Sequence, residues 1–363
     1  MSVPVSAADR SRLIESRIRQ KAGVLRAVRR FFERECFIEL DTKILQGSLV
    51  PELHVAGFSL PNALVSPVSP PPGSLDSPNS RGEQYLLPSP ELAMKNLLCD
   101  WNRHGKARSV YQLAHCFRRE EIQDHFHFQE FLMLEFYAVG LDAMHLLELL
   151  CSLLSELSPL LRPVFRPANA NAKAKAPGPD IGSPRKLSFD ELCRKATGLG
   201  FDRYWQKGLS GMRDLYTKAS GKQTAPELNQ DDLFHLFLVE FLEPYIRQEL
   251  PNCVLYPYPD VTPLPAKSLN PNENFSTEHS GGWVDRWELY VNGVELANAC
   301  REENRLSYLQ SYRKRFVNDL RSSGRYAELQ KFDLEAPELW QYLPDCSGAA
   351  LGLDRLLALF PPS

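Results

Sequence analysis

"VYQLAHCFRREEIQDHFHFQEFLMLEFYAV" runs from Val110 to Val139. Two apolar runs, VYQLAHCF and EFLMLEFYAV, flank a charged and aromatic stretch. This spacing predicts an antiparallel hairpin with a long polar connection. Arg118 and Glu120 stand at the mouth of that hairpin. An arginine there can take a phosphate bidentately, although an Arg/Glu pair reads equally well as a surface ion pair. Phe131 opens the return strand, either as core or as a stacking surface for a flat ring. Glu135 interrupts the apolar run that follows.

Outward from the hairpin, the pattern before it is helical from about Asp9 to Cys36, with apolar residues at spacings of three and four between arginines. "CFIELDT" (Cys36 to Thr42) reads as a short strand, "QYLLP" as another, and "SPELAMKNLL" as a helix with Pro90 near its first turn. After the hairpin, residues 142–160 form a leucine-rich helix. Ser188 and Glu191 make a capping-box pattern for another, and Asp231 to Ile246 read as a third. Strands return at "NCVLYPYP" and "WELYVNGVELANA". A charged helix covers roughly Glu302 to Leu320, and "CSGAALGLDRLLALF" reads as a glycine-containing turn running into an apolar helix. Residues 61–83 and 162–186, rich in Pro, Ser, Ala and Gly, read as flexible loops. These elements predict one α+β domain over residues 9–363, an antiparallel sheet flanked by helices, with 142–250 as a helical insertion.

Composition bounds the function. The chain has 363 residues, 43% of them hydrophobic and 24% charged, and a formal net charge of -3. That balance does not mark a nucleic-acid binder. Its 8 cysteines form no CxxC pair, which points to neither a zinc site nor a disulfide framework. The first residues, MSVPVSAADRSRL, lack a signal-peptide core, and no stretch approaches the ~20 apolar residues of a membrane span. A cytoplasmic protein without a membrane partner is expected.

Two further segments carry chemistry. Glu288, Glu295 and Glu302 are spaced by seven in "WELYVNGVELANACREE". Asn292-Gly293 predicts a hairpin turn between the first two, which would bring Glu288 and Glu295 together. Two carboxylates beside phosphate oxygens suit Mg²⁺. In "GLDRLLALF", Gly352 permits close backbone approach and Arg355, near a helix start, can reach a phosphate. Each element alone also reads as ordinary core or solvated surface.

Together these segments resemble one family. "FRREE…HFQEFLMLEFY" is similar to motif 2 of the class II aminoacyl-tRNA synthetases, and "GAALGLDRLLALF" to their motif 3. The helix and strand over 13–42 resemble motif 1, which builds the dimer interface there. "SPELAMKNLL", "GVELANA" and "DCSGAALGLDR" resemble the lysyl branch, and within it the paralogues that modify elongation factor P. The resemblance implies ATP and Mg²⁺, with Arg118 on the α-phosphate and Arg355 on the γ-phosphate side as the catalytic pair. It places Glu120 near the adenine, Phe131 stacked on it, Gly352 against the nucleotide, and Arg119, Phe128 and Leu296 along the ATP wall. It assigns Mg²⁺ to Glu288 and Glu295. Ser89, Pro90 and Glu91 would grip the head of the amino acid, Tyr137 and Glu302 its distal amino group, with Asn298 and Ala350 also in that pocket.

The reaction so implied is adenylation of (R)-β-lysine or lysine, then transfer to a lysine ε-amine of elongation factor P. No OB-like run of strands precedes motif 1, so an anticodon-binding domain and a tRNA acceptor are not expected; a homodimer is. Ala350 stands where lysyl-tRNA synthetases usually carry glycine. Its methyl is expected to disfavour α-lysine by ~1–3 kcal/mol. The chain departs from the family pattern at Lys43, where a proline is usual, at Phe128, where an asparagine is usual, and at Arg301-Glu302-Glu303. A paralogue with a different acceptor, or a non-catalytic regulatory one, stays open on the resemblance alone.

Overall fold

A computed structural model describes residues 7–52, 57–60, 84–119, 126, 128–161, 181–260, 265–269, 282–322 and 324–361. The chain opens with α1 (Ala7–Arg34) and β1 (Ile38–Glu39). β2 (Leu45–Gln46), β3 (Ser59–Leu60) and β4 (Gln84–Leu86) form a small separate sheet in the order β2-β4-β3. α2 (Glu91–Arg103) leads into β5 (Val110–Phe117) and β6 (Glu130–Val139), and α3 (Ala143–Leu157) follows.

After β7 (Arg185–Leu187) come α4 (Phe189–Thr197), α5 (Asp202–Trp205), α6 (Gly208–Ser220), α7 (Gln230–Phe237), a π-helical turn over Leu238–Leu242, and α8 (Glu243–Glu249). β8 (Asn252–Leu255), β9 (Tyr258–Pro259), β10 (Trp283–Val284), β11 (Arg286–Val291) and β12 (Val294–Arg301) return to sheet. α9 (Leu306–Ser322), α10 (Ala336–Leu339), β13 (Cys346–Gly352) and α11 (Leu353–Leu359) complete the order.

The main sheet has eight strands in the order β1-β5-β6-β13-β12-β11-β8-β7. Its six central strands are antiparallel, and β1 and β7 join the edges in parallel. Strand alternation explains the apolar run of the hairpin. Leu132, Leu134, Phe136 and Ala138 of β6 point to one face, where α1, α3 and α11 cover them. There Phe32 stacks on Tyr111 at 4.6 Å and lies 5.1 Å from Phe136, and Trp287 Nε1 donates to Ala143 O at 2.6 Å, tying α3 to the sheet. Phe131, Met133, Glu135 and Tyr137 point to the opposite face. α2, α9 and α10 close one end of that face over Leu98, Tyr312 and Trp340. The helices over 189–249 cover it beyond Tyr290 and Cys253, and a cleft opens on the stretch between, lined by β6, β12 and β13.

Four expectations are corrected. α3 is not part of an insertion: its Leu146, Leu150, Leu153 and Leu154 sit in the main core. The separate helical cluster is α4–α8, packed on the β7–β8 edge through Leu187, Cys253 and Leu255. Cys346–Gly352 is not a turn but a central strand of the sheet. Glycine there reflects close packing, since a Cβ on Gly348 would lie 2.4 Å from the Tyr137 ring. The helix expected from Glu302 begins at Leu306, because Glu302 pairs with Ala266 in a bridge. The loop at 61–83 and most of that at 162–186 lie outside the described residues, while Arg185–Leu187 is strand.

Ser188 caps α4, its Oγ accepting from Glu191 N at 3.1 Å, while Glu191 Oε1 accepts from Arg185 Nη2 at 2.8 Å, so only the Ser188 half of the expected capping box is seen. All eight cysteines are free thiols. Among the described residues one stretch, Ala143–Leu160, is long and apolar enough to cross a membrane; its Leu146, Leu147, Leu150, Leu153, Leu154 and Leu157 are buried in the core, while Leu160 is exposed.

Candidate active site

The cleft encloses a cavity of about 220 Å³ between β6, β12, β13, α2 and the start of α11. Two local devices aim side chains into it. Asn292 and Gly293 both have positive φ, 51° and 75°, as a two-residue type I′ turn requires. A bulge then follows in the β11–β12 ladder: Tyr290 pairs with Glu295, but Leu289 pairs with Ala297. The extra residue resets the alternation. Glu295 and Asn298, three apart, therefore share the cleft face, and Asn298 Nδ2 donates to Glu295 Oε1 at 3.1 Å.

One end of the cleft gathers buried charge. Lys95 on α2 is 1% exposed; its Nζ lies 2.6 Å from Glu91 Oε1, 2.8 Å from Glu302 Oε2, and 4.5 Å from the centre of the Trp340 ring. Burial opposes the Lys95 charge, but Glu302 and Glu91 outweigh it and raise its pKa. Ser89 Oγ accepts from Glu91 N at 3.1 Å and donates to Glu135 Oε2 at 2.8 Å. Tyr137 OH donates to Glu135 Oε1 at 3.2 Å. Burial, then the charge of Glu91, pushes Glu135 up to about 8. Burial also holds Glu302 at about 7 despite Lys95. Glu52 lines the same cleft, its carboxyl raised by burial and by Glu91.

The other end presents cations and rings. Arg118 Nε donates to Pro88 O at 3.3 Å, and its guanidinium lies 5.3 Å from the Phe131 ring centre. Arg355 Nη1 donates to Glu295 O at 3.0 Å and sits 4.0 Å from Glu295 Oε2; its Nε donates to Phe126 O at 3.3 Å. Asp354 fixes the start of α11: Oδ2 accepts from Leu132 N at 2.7 Å and Oδ1 lies 2.9 Å from Lys21 Nζ. A Cβ on Gly352 would crowd the aliphatic part of Arg355 at 3.3 to 3.4 Å. Phe128 is 40% exposed at the rim.

Of the residues singled out in the sequence, Arg118, Phe128, Phe131, Ser89, Glu91, Tyr137, Glu295, Leu296, Asn298, Glu302, Ala350, Gly352 and Arg355 all line this one cleft. Pro90 is buried at the head of α2 and Arg119 is exposed; neither lines the cleft. Glu288 shares the face of Glu295 but stands behind the wall. Arg286 Nη2 holds its Oε1 at 2.7 Å, Tyr290 OH donates to Oε2 at 3.0 Å, and burial raises it to about 7. Glu120 lies outside the described residues. Sequence reasoning missed Lys95, Glu135, Glu52 and Arg286 as cleft residues. The i, i+4 spacing of Glu91 and Lys95 and the lone acid in MLEFY were the available signals.

A family model described as tRNA synthetases class II (D, K and N) matches residues 6–362. The chain belongs to the class II tRNA synthetase family. Similar class II relatives are named elongation factor P--(R)-beta-lysine ligase. The protein of Proteus mirabilis (strain HI4320) is 28% identical over 94% of this chain and 89% of its own length. Those of Vibrio atlanticus (strain LGP32) and Pseudoalteromonas translucida (strain TAC 125) are 30% and 29% identical, each covering 94% of this chain and 90% of its own length. As a class II aminoacyl-ligase fold, the sheet presents motif 2 as β5–β6 and motif 3 as β13–α11, side by side in register.

Proposed function

We propose that this enzyme joins (R)-β-lysine, or lysine, through an adenylate to the ε-amine of a lysine on elongation factor P. The observation that carries this reading is the cleft end where Glu91, Glu135 and Glu302 outnumber the single ammonium of Lys95. Burying carboxylates without matching cations is costly, so the site is built to receive further ammonium groups. A diamino acid supplies two. The names of the relatives support the same substrate and acceptor.

In this reading the carboxylate of the amino acid attacks the α-phosphorus of ATP and pyrophosphate leaves. Arg118 meets the charge growing on the α-phosphate and Arg355 the departing end, so catalysis is positioning and electrostatics. Phe131 supplies a face for the adenine, and the backbone near Phe128 borders the nucleotide, with Arg119 outside the cleft. Glu302 and Tyr137 hold the distal amino end; Ser89, Pro90 and Glu91 form the loop that grips the near end. Mg²⁺, when bound with ATP, shields phosphate charge. Glu295 at the cleft wall, with phosphate oxygens, fits its ligand habits, and Glu288 joins only by loosening Arg286. Ala350 faces the cleft opposite Glu135, where its methyl narrows the space an α-amino group would need.

Exposed Leu13, Ile14 and Ile18 on α1, at 36%, 50% and 63%, suit an interface in a homodimer. A cytoplasmic site of action, one catalytic domain and a protein rather than tRNA acceptor belong to the same reading. The test is incubation with ATP, labelled (R)-β-lysine, and either elongation factor P or bulk tRNA. Label on the protein is the expected result; label on tRNA overturns the proposed acceptor.

A further inference from the structure

The second half of the reaction poses a problem that the residues assigned so far do not solve. The acceptor ε-amine has an ordinary pKa near 10.4, so at pH 7 only about one in 2,500 is unprotonated and nucleophilic. A base is needed inside the cleft. Among the described lining residues there is no histidine, and the candidates are carboxylates. Glu91 is taken up by Lys95, both oxygens of Glu135 by Ser89 and Tyr137, and Glu302 by Lys95 and the Cys300 thiol at 3.7 Å. Glu295 is bonded to Asn298 and faces Arg355.

Glu52 differs from all of these. It lines the cleft, yet among the described residues its carboxylate accepts no hydrogen bond and forms no ion pair. Its backbone is nevertheless firmly placed. Glu52 N donates to Val50 O at 2.8 Å, Tyr312 OH of α9 donates to Pro51 O, and Leu49 is hydrogen-bonded on both sides to the 331–333 segment. The charged groups facing it are Glu91 and Lys95 from α2, Arg118 at the end of β5 and Arg286 from β11. Glu52 and Arg118, the arginine proposed for the α-phosphate, line the same cleft.

We propose that Glu52 is the general base for acyl transfer, taking a proton from the acceptor ε-ammonium before attack. This rests on the ligase reading above. Glu52 accepts one proton, and the freed nitrogen lone pair forms the C–N bond at the acyl carbon. The bond from that carbon to the phosphate oxygen breaks, and its electron pair leaves with AMP. The second nitrogen proton goes to the AMP phosphate or to water. Burial and Glu91 raise the Glu52 carboxyl towards the amine it must deprotonate, which favours the transfer.

The test compares the two half-reactions in Glu52→Gln and Glu52→Asp. ATP–pyrophosphate exchange with (R)-β-lysine reads adenylation, and label transfer to elongation factor P reads the second half. General base catalysis is worth about 10²–10⁴-fold. The expected result is that transfer by Glu52→Gln falls at least about 10²-fold further than its exchange rate at pH 7, that this gap narrows towards pH 10 as the amine loses its own proton, and that Glu52→Asp restores part of the transfer. Parallel loss of both half-reactions, or a transfer deficit that does not change with pH, overturns the proposal. Absence of exchange in the unmodified protein would instead break the underlying ligase reading, so the two failures are distinct.

Discussion

At the cleft end proposed for the amino acid, Lys95 pairs with Glu91 and Glu302, and Glu135 bonds Ser89 and Tyr137. At the end proposed for the nucleotide, Arg118 and Arg355 donate to carbonyl oxygens, and Phe128 lies at an exposed rim. In the proposed reading the difference follows from what each end recognises. An ammonium is selected by buried acceptors fixed in advance, whose mutual repulsion needs an internal cation. In that reading a polyphosphate oxygen displaces the carbonyl oxygens that Arg118 and Arg355 now bond, while the Glu295 carboxylate stays 4.0 Å from Arg355.

Breaking the nucleotide end should have the largest effect on rate. Arg118→Ala removes a donor aimed at developing charge and should lower ATP–pyrophosphate exchange about 10³-fold, with little change in the KM for the amino acid. A raised KM with unchanged kcat would mean that the two ends are not separable. Breaking the amino-acid end should appear as lost stability. Lys95→Met leaves Glu302 buried without its cation and should cost about 3–5 kcal/mol in urea unfolding. A loss below about 1 kcal/mol would show that water or protonation of Glu302 compensates.

A smaller change sharpens specificity. Ala350→Gly should shift the kcat/KM ratio towards α-lysine by about 10-fold or more, the worth of one methyl in a tight pocket. The smallest effect expected is a pH trend of about tenfold between pH 6.5 and 8 in substrate affinity. Ammonium binding needs ionised Glu302 and Glu135, which titrate at about 7 and 8, so the KM should fall as pH rises through that window. Folding carries the opposite sign. A carboxyl whose folded pKa is raised binds more protons folded than unfolded, so the free enzyme should lose stability from about pH 4.5 up to 8. Urea midpoints with and without the amino acid separate the two trends.

Much of the site was legible because its strands obey simple alternation. The hairpin limits at Val110, Phe117, Glu130 and Val139 follow from the two apolar runs and the polar stretch between them. Other features depend on long-range packing that no local pattern reports. The bulge that puts Glu295 and Asn298 on one face is set by pairing with β11. The grip of Arg286 on Glu288 depends on both being sealed beneath Tyr258 and Tyr290. Lys95 looks like a solvated helix charge until Trp340, from more than 200 residues away, covers it. Gly348 and Gly352 suggest a turn, yet they lie in the middle and at the end of a strand because Tyr137 and Arg355 pack against their backbone.

The central claim is that Glu302, paired with Lys95, and Tyr137 receive the distal ammonium of the amino acid. It is tested most directly by ATP–pyrophosphate exchange with (R)-β-lysine against (R)-3-aminohexanoic acid, which lacks only the distal amine. A site of buried acceptors left unpaired should reject the shorter compound by at least about 10³-fold in kcat/KM. Comparable exchange with both compounds would contradict the account.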